Sequence, residues 1–150
     1  MTARLANPWS ISTDPARLDL DRVHAWLASS YWSPGVRREL VERAFAHSLS
    51  AGAYDAHGAQ LGVARAVTDG ATFAWLCDVY VDGSARGQGI GRALVRALLE
   101  HPTTQTLRRW CLGTRDAHGV YAALGFAPVD PAIWMEYKPD PSRWQAPTAA

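Results

Sequence analysis

The residues of this chain whose types and spacing suit chemistry are concentrated in one run, Leu76-Cys77-Asp78-Val79-Tyr80-Val81-Asp82-Gly83-Ser84-Ala85-Arg86-Gly87-Gln88-Gly89-Ile90-Gly91-Arg92-Ala93-Leu94. It reads as a strand, a glycine-rich turn and a helix. Gly87, Gly89 and Gly91 stand at alternate positions, which removes the side chains that would block close approach. The turn also leaves backbone N–H groups free at a helix N-terminus, where the dipole favours an anion. Such a turn suits a pyrophosphate. A nucleoside-triphosphatase loop would end in Gly-Lys-Ser or Gly-Lys-Thr, whereas Gly91 is followed by Arg92 and Ala93. A dinucleotide fingerprint counted from Gly87 puts Arg92 at the third glycine's place. Both classes are disfavoured. Taken alone, the glycines also suit a tight strand-to-helix turn that holds no ligand.

The elements that must position this run are legible from periodicity. Trp9 to Ser12 predicts a short first strand, ended by the Asp14-Pro15 turn. Leu20 to Ser29 predicts a helix through the spacing of Val23, Trp26 and Leu27; Tyr31-Trp32-Ser33-Pro34-Gly35 breaks it, and Arg37 to Leu49 resumes the helical period. From Gly52 the period shortens. Ala53 to Asp55, Leu61 to Thr68 and Thr72 to Val81 predict strands, joined through Asp55-Ala56-His57-Gly58 and Asp69-Gly70. Arg92 to His101 predicts a helix, Thr106 to Gly113 a strand, Ala117 to Leu124 a helix stopped by Gly125, and Met135 to Lys138 a strand that closes the sheet. Pro139 to Ala150 reads as a loosely held tail. The expected class is α+β, or mixed α/β: a mostly antiparallel central sheet that later receives strand-helix-strand units and is flanked by helices. One domain is expected over residues 1–150, with its core at about 8–138.

Composition narrows the function classes. Hydrophobic residues make up 48% and charged residues 19%, with seven Trp, so the chain is too apolar to be a disordered linker. Fifteen Lys and Arg against fourteen Asp and Glu give a net charge of +1, which removes the basic footprint of a duplex-binding protein. No nucleic-acid partner is expected. Cys77 and Cys111 form no C-x-x-C pair, and five dispersed His lack the H-E-x-x-H spacing, so neither a disulfide framework nor a metal site is expected. No run approaches the roughly 20 apolar residues of a membrane helix, and Met1 to Ser10 lacks the regions of a signal peptide. A cytoplasmic protein with no membrane partner is the expectation.

Arg86-Gly87-Gln88-Gly89-Ile90-Gly91 resembles the R/Q-x-x-G-x-G/A signature of the GNAT N-acetyltransferases, and it follows a Val-rich strand as that signature does. Thr114-Arg115-Asp116-Ala117-His118-Gly119-Val120-Tyr121-Ala122-Ala123-Leu124-Gly125-Phe126 resembles the family's second landmark, a helix that bears Tyr and ends in Gly-Phe. Two motifs in the expected order are more specific than either alone, and the resemblance extends over about residues 8 to 138. It implies an acyl-CoA N-acyltransferase fold with splayed central strands, acetyl-CoA as co-substrate and an amine as acceptor. It further implies that backbone amides of Arg86, Gly87, Gln88, Gly89, Ile90, Gly91 and Arg92 hold the pyrophosphate. Val79 and Val81 would pair with the pantetheine arm, and an amide near Val79 or Tyr80 would polarise the thioester carbonyl. Tyr121 would protonate the leaving thiolate. Thr114 stands where many members carry Asn ahead of the helix.

An amine must lose a proton to attack, which calls for a base or a water chain. Asp78 is the nearest candidate, because strand alternation places Asp78, Tyr80 and Asp82 on one face and Cys77, Val79 and Val81 on the other. A solvated or ion-paired Asp78 is the alternative. Tyr31 and Trp32, with His24 before them, could wall an acceptor site, or simply pack in the core. A second functional class is also open: an acyl-CoA-binding regulatory module without turnover. Sheet edges in this fold often meet a second copy, so a homodimer is among the expected states.

Overall fold

The computed structural model describes residues 7–148. Five strands form one sheet in chain order: β1 (Trp9–Ser12), β2 (Leu49–Asp55), β3 (Gln60–Thr68), β4 (Phe73–Val81) and β5 (Arg109–Cys111). The first four pair antiparallel and β5 joins β4 in parallel. Helices α1 (Leu20–Ala28), α2 (Arg38–Ala46), α3 (Ile90–Leu99) and α4 (His118–Ala122) complete the fold. The mixed α+β class expected from the pattern is the one observed.

Helices cover both faces of the sheet for a compositional reason. On one face the buried strand residues are small, Ala51 and Ala53 on β2 with Ala64 and Ala66 on β3, and α3 packs Leu94, Val95 and Leu98 against them. Small residues let the helix approach closely, so its large side chains fill the space the alanines leave. On the other face Val63 meets Val23, Trp26 and Leu27 of α1 and Val41 and Phe45 of α2. Asp19 starts α1 by accepting from the Arg22 amide at 3.1 Å. Its own N–H donates to the buried Gln60 side chain at 2.7 Å. That bond ties the helix start to β3.

Several boundaries differ from the periodic reading. The second helix stops at Ala46, and Leu49 opens β2, because Ser48 turns its hydroxyl back to the Ala44 carbonyl and ends the helix. Helix α3 begins at Ile90, two residues earlier than expected, so Ile90, Gly91 and Arg92 form its first turn. β5 is only three residues long. Met135 to Lys138 does not join the sheet: Met135 is 97% and Tyr137 84% exposed. Pro131 and Pro139 bracket this run, and Pro131–Ile133 takes a helical turn, which removes donors and bends the approach.

The C-terminal segment is held more firmly than its composition predicts. Val36 and Gln145 form an antiparallel bridge. The Ala146 amide donates to the Gly35 carbonyl at 2.6 Å, and the Arg37 amide to the Trp144 carbonyl at 3.1 Å. Residues 144–146 thus lie as a strap along the loop between α1 and α2. No helix of the described residues is long and apolar enough to cross a membrane.

Candidate active site

β4 is the element on which the site is built. Its parallel pairing with β5 ends at Trp75 opposite Cys111, although β4 itself continues to Val81. Beyond Trp75 its backbone has no strand partner on that side among the described residues, and the two strands open into a fork. A cleft of about 690 Å³ fills this fork, lined by Trp75 to Val79 from β4, by the loop after β5 and by Tyr121. On its other edge β4 pairs Tyr80 with Val63 but Cys77 with Arg65, so β4 carries one extra residue there, a β-bulge. Asp78 sits in it with φ +53°, the single positive-φ non-glycine among the described residues. Asp tolerates the left-handed region better than most residues do.

The bulge changes which side chains share a face. Strict alternation would put Cys77 with Val79 and Val81. Instead Leu76, Val79 and Val81 all pack towards α3, while Cys77 lies opposite Arg65, whose guanidinium stands over the Phe45 ring of α2. Asp78, Tyr80 and Asp82 share one face, as the pattern predicted, and it is turned to α1 and the loop after it: Asp78 bonds Trp32, Tyr80 stacks on Trp26 at 5.4 Å, and Asp82 accepts from the Trp26 indole.

The glycine-rich turn follows directly. Asp82 accepts from the Ser84 amide and hydroxyl, which orders a helical turn over Gly83–Ala85. These bonds and the Trp26 indole hold its carboxyl below the usual carboxylate range. Arg86 folds back, donating to the Val81 carbonyl at 3.1 Å with its guanidinium over Tyr80. Gly87 and Gly89 have φ of +80° and +79°, a region in which a side chain strains the backbone. A Cβ at either would point into open space. Among the described residues no side chain caps α3, so its first-turn amides have no side-chain partner there. An uncapped helix start behind an open glycine turn fits a phosphate group.

Tyr31 and Trp32 form the opposite wall. Their rings meet edge to face at 5.0 Å. The Tyr31 hydroxyl accepts from the Arg115 amide at 3.1 Å and the Arg115 guanidinium stands 4.0 Å from the Tyr31 ring, which joins the α1–α2 loop to the loop before α4. The Trp32 indole donates to Asp78 Oδ1 at 3.0 Å, and Arg65 Nε donates to Oδ2 at 2.8 Å. This ion pair is largely buried, with the two side chains 16% and 11% exposed. His24 lies apart from both walls, its Nε2 2.9 Å from the Val36 carbonyl, and lines neither cavity at this site.

Tyr121 projects from α4 into the fork and packs edge to face on Phe126 at 5.9 Å. Burial, and then the neighbouring Tyr31, push its hydroxyl above the ordinary tyrosine value. Thr114 supports this helix, its hydroxyl accepting from the Ala117 amide at 3.0 Å. Burial pushes the Cys77 thiol up to about 12, so it is protonated at neutral pH and is no nucleophile. Among the described residues no three His, Cys, Asp or Glu side chains are grouped to hold a metal ion.

Sequence reasoning missed Arg65, Arg115 and Trp26. Arg65 carried a signal, since a cation within Val63-Ala64-Arg65-Ala66-Val67 on a half-buried strand needs a buried partner. Arg115 and Trp26 carried none, because their contacts join segments far apart in the chain.

Comparison with known proteins agrees with this geometry. Residues 18–126 match the Acetyltransferase (GNAT) family. A crystal structure from Xanthomonas campestris pv. campestris, of a putative acetyltransferase belonging to the GNAT family, is 42% identical with a TM-score of 0.83 and covers 87% of this chain and 92% of that one. A protein of Gibberella zeae named as a putative acetyltransferase is 30% identical over 109 residues, 60% of this chain, and the match spans only 62% of that protein's length. A structure from Clostridium acetobutylicum, described as a predicted acetyltransferase with acetyl-CoA, shares the fold at 15% identity and a TM-score of 0.64, covering 87% of this chain and 94% of that one. Fork, glycine turn and Tyr-bearing helix stand on the fold this group shares, and the chain belongs to the GNAT acetyltransferase family.

Proposed function

We propose that this protein moves the acetyl group of acetyl-CoA directly to the nitrogen of a primary amine. The observation that carries the reading is the continuity of three features along one edge. Tyr121 and Trp75 to Val79 line the fork, β4 beyond Trp75 has its edge unpaired there among the described residues, and from Val81 the same strand runs on into the glycine turn and the amides of α3. The turn from Arg86 to Arg92 holds the pyrophosphate, and Val79 to Val81 lie where they can pair with the pantetheine arm as an added strand would. An amide near Val79 or Tyr80, just past the Asp78 bulge, polarises the thioester carbonyl.

Asp78 receives the amine. Arg65 and Trp32 take one lone pair from each carboxylate oxygen, which leaves acceptor sites for an incoming ammonium and for the proton it must lose. The nitrogen then forms a bond to the carbonyl carbon, the carbon–sulfur bond breaks, and Tyr121 gives its proton to the departing sulfur; the nitrogen's second proton passes through water to the Tyr121 phenolate, and Asp78 returns the first to solvent, which leaves a neutral amide and a neutral thiol. In water the transfer from Tyr121 to sulfur is uphill, from about pKa 10 to about 8.5. Burial in the cleft acts on both partners, raising the Tyr121 hydroxyl and the proton affinity of a thiolate in the same fork. Cys77 being protonated favours direct transfer over an acetyl-enzyme intermediate.

Calorimetric titration with acetyl-CoA, CoA and ATP tests the base of this reading. Binding of the CoA species alone, followed by amine-dependent thiol release, is expected. Binding of ATP alone, or of nothing, rejects it. CoA binding with no thiol release from any amine would favour the regulatory module.

A further inference from the structure

A second cavity, of about 270 Å³, lies on the far side of Trp32 from the fork, between α1, α2 and the sheet. It shares two residues with the fork, Trp32 and Asp78, so Asp78 borders both this cavity and the place where an acceptor nitrogen would meet the thioester. Leu27, Val36, Leu40, Val41, Ala44 and Trp144 supply its apolar walls. Its charged lining residues are Arg65 and Asp78, which neutralise each other at 2.8 Å. Among the described residues this lining has no second carboxylate for a polyamine and no free cation for a substrate carboxylate or phosphate. An apolar cavity of about 150 Å³ accommodates benzene, so this one has room for a ring and a short chain.

Trp144 reaches this wall from outside the family-matched stretch, which ends at residue 126. The strap that carries it is anchored through backbone bonds to Gly35 and Arg37 and through the Gln145 amide group to the Pro34 carbonyl at 3.0 Å. Its position therefore does not depend on the indole itself. We propose that the cavity takes the apolar body of an arylalkyl or branched alkyl primary amine, presented to Asp78, and that Trp144 sets the size of amine accepted. This rests on the acetyl-transfer reading above.

The test measures acetyl-CoA binding by calorimetry and thiol release with 2-phenylethylamine, isoamylamine, n-propylamine, spermidine and β-alanine. For the unaltered protein kcat/KM for 2-phenylethylamine is expected to exceed that for spermidine and β-alanine by about 30-fold or more. Trp144→Ala is expected to raise KM for 2-phenylethylamine about tenfold, with little change for n-propylamine and none in acetyl-CoA affinity; Trp144→Phe restores most of the loss. Acetyl-CoA binding together with preference for spermidine or β-alanine, or with no amine of the set acetylated, overturns the substrate class and leaves cofactor binding standing. A Trp144→Ala protein that folds and keeps its ratio of 2-phenylethylamine to n-propylamine overturns the role of Trp144. Failure to bind acetyl-CoA overturns both this inference and the reading beneath it.

Discussion

The indole of Trp32 donates to Oδ1 of Asp78 at 3.0 Å, across 46 residues of chain, and this one bond joins the α1–α2 loop to the bulge of β4. Trp32 and Asp78 are also the shared wall of the two cavities. If Asp78 receives the amine, Asp78→Asn should lower kcat/KM for the acceptor by about 10²-fold or more while acetyl-CoA affinity stays within a few-fold. Asn is the suitable replacement because it tolerates the left-handed backbone at φ +53°. An unchanged acceptor rate would leave Asp78 as a structural ion-pair partner of Arg65.

Tyr121→Phe keeps the ring packed on Phe126 and removes only the hydroxyl. Turnover should fall about 10²- to 10⁴-fold with the acetyl-CoA dissociation constant unchanged. The pH profile carries independent information. Burial raises the Tyr121 value, so the protonated, donating form persists above pH 10 and is lost only as pH rises through that elevated value. The rate should therefore show no alkaline fall from this group between pH 7 and about 10. A fall centred near 8 assigns the acid to another residue.

Gly89→Val tests the phosphate-binding turn. The substitution forces a β-branched residue to φ +79° at the start of α3, at a strain of roughly 1–2 kcal/mol, and directs its side chain into the space a phosphate would use. Acetyl-CoA affinity should fall at least about tenfold, beyond what the loss in melting temperature explains. Full affinity in calorimetry would place the pyrophosphate elsewhere.

Cys77 should be unreactive in the folded protein despite lining the cleft. With its thiol pushed up to about 12, the thiolate at pH 8 is about 10³-fold rarer than for a free cysteine. Alkylation followed by mass spectrometry, in a Cys111→Ser background, should show slow labelling that becomes fast in denaturant. Rapid native labelling would restore Cys77 as a nucleophile.

Asp82 orders the turn ahead of the glycines, and its folded pKa is lowered by its bonds to Ser84 and Trp26. Its stabilising contribution is present above the ordinary carboxylate value, near 3.9, and is lost as pH falls towards the lowered one. Thermal melts of Asp82→Ala and the unaltered protein should differ at pH 7 and converge below pH 4. A gap that persists in acid would mean the side chain acts through packing and not through its charge.

Much of this protein was legible in the sequence because the physics concerned is local. Three- and four-residue spacing of Val23, Trp26 and Leu27 specifies a helix face, Asp69-Gly70 specifies a tight turn, and Gly87 and Gly89 meet the positive-φ demand of the turn before α3. The glycine motif and the Tyr-bearing helix accordingly fall where the pattern placed them. What the tertiary structure alone decided involves residues with no local relation. The extra residue at Asp78 exists only relative to its partner strand, so no periodicity of β4 could show that Cys77 would turn to face Arg65. The end of β4–β5 pairing at Trp75 depends on β5 being three residues long, and that opening is the cleft. Met135 and its neighbours alternate like a strand but lie exposed, because a strand requires a paired edge as well as a pattern. The segment after Pro139 looked loose because its anchors are carbonyls and amides of Pro34, Gly35 and Arg37, backbone groups whose side chains leave no mark on the sequence of the strap they hold.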